Sequence, residues 1–295
     1  MVFFRKTAIL GVGLLGASLA LAMRDKGLTE EISGFGRSAE NLEKAKARGI
    51  IDTCHPDDPA AAAAGADLVV LATPVGIFTQ IAKAIRDSIK KDSIQTDLGS
   101  VKGGLVYELE EILPRFVGCH PIAGGERTGI GAASERLFEG SKCIITRTEK
   151  ANARAVDAMA GLWSAVGCEV EFMDPFVHDE VYALVSHLPH LVAYALVNTV
   201  GDTDGDLIRF AGKGFRDSSR IAMSSPELWR DICRMNKDNL LRFTGVFKKN
   251  LERIEALLKS GEPGALEREF DSARKLRSRL ENENGNENDN KNGNG

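Results

Sequence analysis

Disulfide frameworks and structural zinc are the first things this sequence excludes. It holds five cysteines, Cys54, Cys119, Cys143, Cys168 and Cys233, an odd count at wide spacing with no CxxC pair. They read as small buried hydrophobes in a reducing compartment. An excess of charge is missing too. The formal net charge is −4, and residues 281–295, with four acids and one lysine, carry −3 of it. Residues 1–280 are therefore nearly neutral, which argues against a broad basic surface for nucleic acid. Intrinsic disorder is excluded in turn, because 43% of the 295 residues are hydrophobic, enough for one large or two medium domains.

Long hydrophobic runs are also scarce. The uncharged stretch Ala8 to Met23 follows Arg5 and Lys6 and contains Ala20-Leu21-Ala22, the outline of a secretory signal. Gly11, Gly13 and Gly16 interrupt it, and it is short for a membrane span. The competing reading is a buried strand, a glycine turn and a buried helix. Around Leu68 to Phe78 the apolar run is broken by Pro74 and Gly76. No other stretch is expected to span a membrane, and a soluble cytoplasmic protein is the expectation. There is no internal repeat.

Short β-like runs alternate with helical segments in the first half. Strands are expected at Thr7–Leu10, Glu31–Phe35, Asp67–Thr73, Ser93–Leu98, Phe116–Cys119 and Cys143–Thr146, with helices at Leu14–Lys26 and Ala39–Arg48. This alternation implies an α/β fold with a parallel sheet between helices. The pattern changes near residue 173, after which helices are expected at Val177–Val200, Leu207–Phe210, Pro226–Leu257 and Ala265–Leu280. In the last, Leu266, Phe270, Ala273, Leu276 and Leu280 form one apolar stripe. The expected organisation is a dinucleotide-binding domain over residues 1–173 and a helical domain over 174–280. The tail 281–295, with Asn at every even position from 282 to 294, has no apolar residue and is expected to be disordered.

Gly11-Val12-Gly13-Leu14-Leu15-Gly16 matches GxGxxG between an expected strand and an expected helix. In that context Gly11 makes the tight turn, Gly13 admits a pyrophosphate, and Gly16 lets helix and strand pack closely. The helix N-terminus then offers N–H groups to the phosphates. The next strand ends in Gly36, Arg37 and Ser38 where an NAD site usually places an acid. Arg37 suits a 2′-phosphate, so NADP is favoured over NAD. The candidate cofactor contacts are Gly11, Gly13, Leu14, Leu15, Gly16, Arg37, Ser38, Thr73, Pro74 and Ser100.

Ligands of such sheets bind beyond the carboxyl ends of the strands. Two polar clusters lie there, Thr96-Asp97-Leu98-Gly99-Ser100-Val101-Lys102 and Gly118-Cys119-His120-Pro121-Ile122-Ala123-Gly124-Gly125-Glu126. Ser100 and His120 are thus expected to face the nicotinamide end of the cofactor. A neutral imidazole can take a proton from a substrate hydroxyl. In the helical half, His187 and His190 stand three apart, just after His178 and Asp179. Without HExxH, and with Pro189 between them, no metal is expected. A last cluster holds Arg216, Asp217 and Arg220, followed by Pro226 and Trp229; an arginine can clamp a carboxylate.

Taken in order, GVGLLGASLA, TDLGSVK, GCHPIAGGE, VSHLPH and GFRDSSRIAMSSPELWRDI resemble the prephenate/arogenate dehydrogenase family of tyrosine biosynthesis, over residues 5–280. The resemblance implies a Rossmann-type N-terminal domain and an all-helical C-terminal domain that forms most of a homodimer interface. The implied reaction is oxidative decarboxylation of prephenate to 4-hydroxyphenylpyruvate, or of arogenate to tyrosine. By motif, His120 would accept the proton of the ring C4 hydroxyl, and Ser100 would orient His120 and touch the nicotinamide. Arg220 would bind a substrate carboxylate and His190 would face the side chain. Asp179, Asp217 and Trp229 would support the pocket, and Glu126 would line it. Many relatives have GTE where this sequence has Gly125 before Glu126. No fused chorismate mutase or regulatory segment is expected. A β-hydroxyacid-type dehydrogenase is the nearest rival, but no lysine here has the asparagine four residues later that such enzymes use. An NADP-binding sensor without turnover is the rival from another class.

Overall fold

The computed structural model describes residues 2–124 and 129–291, with side chains through residue 280. The strands are β1 Phe4–Leu10, β2 Thr29–Gly36, β3 Thr53–Pro56, β4 Leu68–Leu71, β5 Ile94–Asp97, β6 Phe116–Pro121, β7 Lys142–Thr146 and β8 Glu169–Met173. Between them run α1 Leu14–Asp25, α2 Ala39–Ala47, α3 Pro59–Ala63, α4 Phe78–Ile85, α5 Gly103–Ile112 and α6 Ala153–Ala165. After β8 come α7 Pro175–Tyr182, α8 Leu188–Asp204, α9 Lys213–Ser219, α10 Pro226–Met235, α11 Lys237–Ser260 and α12 Pro263–Lys291.

The eight strands among the described residues form one sheet in the order β3-β2-β1-β4-β5-β6-β7-β8. Successive residues of its central strands feed two cores, one on each face. Ile9, Leu68 and Val70 pack into one; Ala8, Leu10, Val69 and Leu71 pack into the other. That is why β4 reads as an unbroken apolar run rather than an alternating one. The chain winds outward from β1 to β3, then returns to place β4 beside β1, so the strand order reverses at β1 and β4.

The sheet departs from the expected parallel arrangement at one place. β7 runs antiparallel to β6, with His120 opposite Ile144 and Pro121 opposite Cys143. An antiparallel pair, unlike a parallel one, needs no crossover helix between its strands. β3, which the sequence did not announce, is a short edge strand paired to β2. Its run of half-buried Thr53, Cys54 and His55 and exposed Pro56 lacks the apolar pattern of a central strand.

The helical half is more broken than its periodicity suggested. Val177–Val200 is interrupted by a wide π-turn at Ala183–His187 before α8 restarts with Pro189 in its first turn. Proline donates no backbone hydrogen bond, so the helix loosens just ahead of it. Residues 205–210 form a 3-10 helix. Pro226–Leu257 is two helices, broken at Asn236. The run Pro175–Phe210 is, by length and composition, apolar enough to cross a membrane, contrary to the expectation that no such stretch exists. It nevertheless buries His178, Asp179 and His187.

The chain divides into compact units at Leu240. The sheet and all residues of the site below lie in the unit Met1–Leu240. In the second unit, α11 and α12 are joined by a hydrogen bond from Arg253 Nε to Glu269 Oε1 (3.1 Å), and Phe270, Leu276 and Leu280 of the expected stripe are exposed. The backbone of α12 stays helical to Lys291, past Leu280, where disorder was expected to begin; extending a formed helix costs far less than starting one.

Candidate active site

The loops after β1, β4, β5 and β6 leave the same edge of the sheet, spanning the point where strand order reverses. Gly11 has φ +122°, and a Cβ there would sit 2.4 Å from the Ala72 carbonyl carbon. At Gly16 a Cβ would sit 2.2 Å from Gly11 O. Turn, helix and β4 therefore press together as tightly as glycine allows. At Gly13 a Cβ would meet nothing within 4 Å. Above this gap, α1 begins without a side-chain cap and without an acid in its first turn. An open backbone cradle at an uncapped helix N-terminus fits an anionic pyrophosphate, and so the residues present fit a dinucleotide. At the far end of β2, Arg37 is exposed, and Ser38 Oγ accepts from Asn41 N (3.2 Å) as the N-cap of α2.

His120 lies in β6 and is 8% exposed. α7 is packed where its side chains meet it. Asp174 caps that helix, Oδ1 accepting from Phe176 N (2.8 Å) and Val177 N (3.1 Å), and Pro175 fills the first turn. This fixed start carries His178 and Asp179 inward. His120 Nδ1 lies 2.8 Å from His178 Nε2, and His178 Nδ1 lies 2.8 Å from Asp179 Oδ1. Asp179 Oδ1 also accepts from Lys102 N (2.7 Å). A Cβ at Gly103 would come within 2.5 Å of Asp179 Oδ2, so glycine at the start of α5 lets it approach. The Tyr182 ring covers both imidazoles, at 4.8 and 4.6 Å between centroids.

A second group adjoins the first. Asn236 donates to the Asp179 carbonyl (2.7 Å), and its Nδ2 lies 3.2 Å from His187 Nδ1. His187 meets Trp229 edge-on, and His190 stacks on the same Trp229 ring with centroids 3.6 Å apart. His190 Nδ1 bonds to the Ser186 carbonyl (2.9 Å). The positive charge of Arg220 bears on His190. Burial is the main reason that all four imidazoles are held below their usual pKa of 6.5. His120 lies well below it, His187 falls to about 4, and His178 and His190 move the same way. The cluster is thus a set of neutral rings at pH 7.

Of the residues expected from the sequence, the structure brings together His120, Asp179, His190 and Trp229, with Arg220 acting on His190. Ser100 is half-buried on the β5–α5 turn, and the hydrogen-bonded neighbour that the structure gives His120 Nδ1 is His178. α7, which packs on α5, brings His178 to that side of the ring. The Ser100 carbonyl instead favours the protonated form of His187, although His187 Nε2 itself has no partner of hydrogen-bond geometry. Asp217 is exposed on α9, and among the described residues nothing joins it to the histidines. Glu126 and Gly125 lie outside the described residues. Sequence reasoning gave no role to His178, Lys102, Tyr182 or Asn236. The adjacent His-Asp pair one turn after a capped proline was the available signal for His178.

Comparison with known proteins accords with this arrangement. Residues 19–172 match the prephenate dehydrogenase nucleotide-binding domain, and residues 174–272 match the prephenate dehydrogenase dimerization domain. The chain is 33% identical to the cyclohexadienyl dehydrogenase of Zymomonas mobilis over 96% of its own length and 98% of that protein. It is 34% identical to the prephenate dehydrogenase of Bacillus subtilis over 92% of its length and 74% of that protein. The crystal structure of prephenate dehydrogenase from A. aeolicus, in complex with hydroxyphenyl propionate and NAD+, superposes with a TM-score of 0.89 at 38% identity, covering 94% of this chain and 98% of that one. With both of its parts matched and its fold shared, the chain belongs to the prephenate dehydrogenase family.

Proposed function

We propose that this protein catalyses the NAD(P)-dependent oxidative decarboxylation of prephenate to 4-hydroxyphenylpyruvate, a step of tyrosine biosynthesis. The observation that carries the reading is His120: a buried, neutral imidazole at the carboxyl end of β6, in the row of loops that begins with the glycine turn. Its Nδ1 is taken by His178, which leaves Nε2 for a substrate hydroxyl. A bound NAD(P)+ supplies the two-electron acceptor for ring carbon C4. His120 Nε2 takes the C4 hydroxyl proton as that carbon becomes a carbonyl. Loss of CO2 then returns an electron pair to the ring, the oxygen becomes a phenolate, and His120 gives the proton back. No proton is gained or lost overall, so one base that holds a proton between two events is sufficient. Ser100 stands at the next strand end, and in this reading Arg220 holds a substrate carboxylate beside His190 and Trp229.

NADP is the preferred cofactor in this reading, because β2 ends in Gly36 with the exposed Arg37 next to it and no acid to bind the 2′-hydroxyl. The name of the Zymomonas relative supports a second reading, in which arogenate is also oxidised, giving tyrosine directly. The two substrates differ at the side chain, next to His190. The protein works as a homodimer: Val177, Val181, Leu184, Val185 and Leu196 of the apolar run are exposed, and a second copy covers them in a part of the chain whose family is described as a dimerization domain. The five free cysteines suit a reducing cytoplasm. The test is steady-state turnover, read at the nicotinamide absorbance, of prephenate and of arogenate with NAD and with NADP. Turnover of prephenate with NADP as the better cofactor is expected. No turnover in any of the four combinations would leave a nucleotide-binding sensor instead.

A further inference from the structure

The Asp179–His178–His120 series fixes more than position. Asp179 Oδ1 is a carboxylate oxygen that already accepts from Lys102 N (2.7 Å). The 2.8 Å contact from His178 Nδ1 therefore requires a proton on that nitrogen. A neutral His178 then presents a bare Nε2. The 2.8 Å contact with His120 in turn requires the proton on His120 Nδ1. His120 Nε2 is left with a lone pair. One ionised carboxylate, two bonds away, sets the tautomer that a base at this position needs.

The same series decides where charge goes. Once Nε2 has taken a proton, His120 is an imidazolium whose Nδ1–H points at a bare nitrogen. Its surroundings oppose the charge: burial first, then His178, the ammonium of Lys102 and His187. Tyr182 covers both rings, and its hydroxyl, pushed up to about 12 by burial, stays protonated. His178 has the better site. It is buried and also feels Lys102, but Asp179 lies 2.8 Å from its Nδ1, and both Asp179 and Asp97 favour its charged form.

We propose that His178 is a positioning residue for the reaction: it holds His120 in the Nδ1–H tautomer and, against Asp179, stores the charge between oxidation and decarboxylation. In the forward step the substrate O–H bond breaks and N–H forms at His120 Nε2. The His120 Nδ1–H bond breaks and N–H forms at His178 Nε2. When CO2 leaves, the phenolate oxygen takes the Nε2 proton of His120, and His178 returns its Nε2 proton to His120 Nδ1. The cycle closes with no external donor or acceptor. The pair titrates as a unit, so its two apparent pKa values belong to neither ring alone.

This inference rests on the proposed reaction, and its test separates the two. Nitrogen-15 NMR of the protein without ligand is expected to show His120 and His178 both protonated at Nδ1 and bare at Nε2. A His120 protonated at Nε2 overturns the proposal, whether or not the protein turns over prephenate. His178→Gln supplies an amide oxygen that keeps the His120 tautomer but takes no proton. With prephenate and NADP, its kcat is expected to fall about tenfold or more, with cofactor affinity kept. The acid limb of the pH profile is expected to move to lower pH, as it is for Asp179→Asn. A wild-type kcat and an unmoved limb in His178→Gln overturn the proposal while leaving the reaction intact. Absence of turnover in the wild type overturns the reaction and leaves the tautomer for NMR to decide.

Discussion

Lys102 Nζ lies 2.6 Å from Asp97 Oδ2, in an ion pair whose side chains are each 1% exposed. The ammonium also donates to the Gly99 carbonyl (2.7 Å), and Asp97 Oδ1 accepts from Cys119 N (3.0 Å), the residue before His120. The pair thus ties the β5–α5 turn, with Ser100 on it, to the strand that carries His120. Removing one member leaves the other charge buried, which costs about 3–5 kcal/mol. Lys102→Met is expected to lose that much in urea denaturation, and Asp97→Leu a similar amount. The double variant is expected to lose much less than the sum. Simple addition of the two losses would show that the charges do not stabilise each other.

Stability is expected to depend on pH through the buried imidazoles. Histidines in the unfolded chain titrate near 6.5, whereas native His187 does so at about 4. Between those values the unfolded chain binds more protons. Stability is therefore complete above about pH 6.5 and is lost as pH falls toward 4. For His187 alone the loss is on the order of 3 kcal/mol, and His120, His178 and His190 act in the same direction. The denaturation midpoint is expected to fall between about pH 7.5 and pH 4.5, less steeply in His187→Gln. A midpoint unchanged over that range would mean the rings are solvated.

The two halves of the fold were unequally legible in the sequence. Strands such as Leu68–Leu71 announce themselves, since burial on both faces demands a continuous apolar run. The glycine turn was readable to the residue, because backbone contact at Gly11 and Gly16 leaves no alternative side chain. His120 was singled out from its place after an expected strand, and the structure puts it inside β6. The sequence reading named Ser100 beside it and gave no part to His178, which the structure puts at Nδ1. That contact joins residues fifty-eight apart in sequence and depends on how α7 packs, which no local pattern encodes. Asn236 illustrates the same limit. It breaks what reads as one helix, and it does so to donate to the Asp179 carbonyl from α10's end.

Arg220→Ala is expected to act on substrate binding. The side chain is exposed, so the loss of thermal stability is expected to be small. KM for prephenate is expected to rise about tenfold or more, with kcat changed less, as a charge-assisted clamp is removed. The substitution also removes a positive charge that opposes protonation of His190, so His190 is expected to titrate at higher pH in NMR. An unmoved His190 together with an unchanged KM would place Arg220 outside the site.

At Gly36 the end of β2 has room for a side chain. A Cβ there would meet Leu42 at 3.6 Å, an ordinary contact. Gly36→Asp is therefore expected to fold normally and to offer a carboxylate to a ribose 2′-hydroxyl while repelling a 2′-phosphate. The ratio of kcat/KM for NADP over NAD is expected to fall about tenfold or more, since a charge near the 2′ position changes sign. An unchanged ratio would mean that Arg37 and its neighbours do not read the ribose.

Gly13 and Gly16 are expected to separate cofactor binding from folding. A Cβ at Gly16 would overlap Gly11 O at 2.2 Å, against backbone that has nowhere to go. Gly16→Ala is therefore expected to destabilise the protein by about 1–3 kcal/mol or more, the cost of overpacking. Gly13 has φ −102°, which any residue adopts, and its Cβ would enter open space. Gly13→Ala is expected to melt like the wild type. Its methyl group stands where a pyrophosphate must approach the start of α1, so the dinucleotide Kd is expected to rise about tenfold or more by calorimetric titration. Wild-type affinity in Gly13→Ala would show that the phosphates bind elsewhere, and the order of strand ends from the glycine turn to His120 would then no longer describe one site.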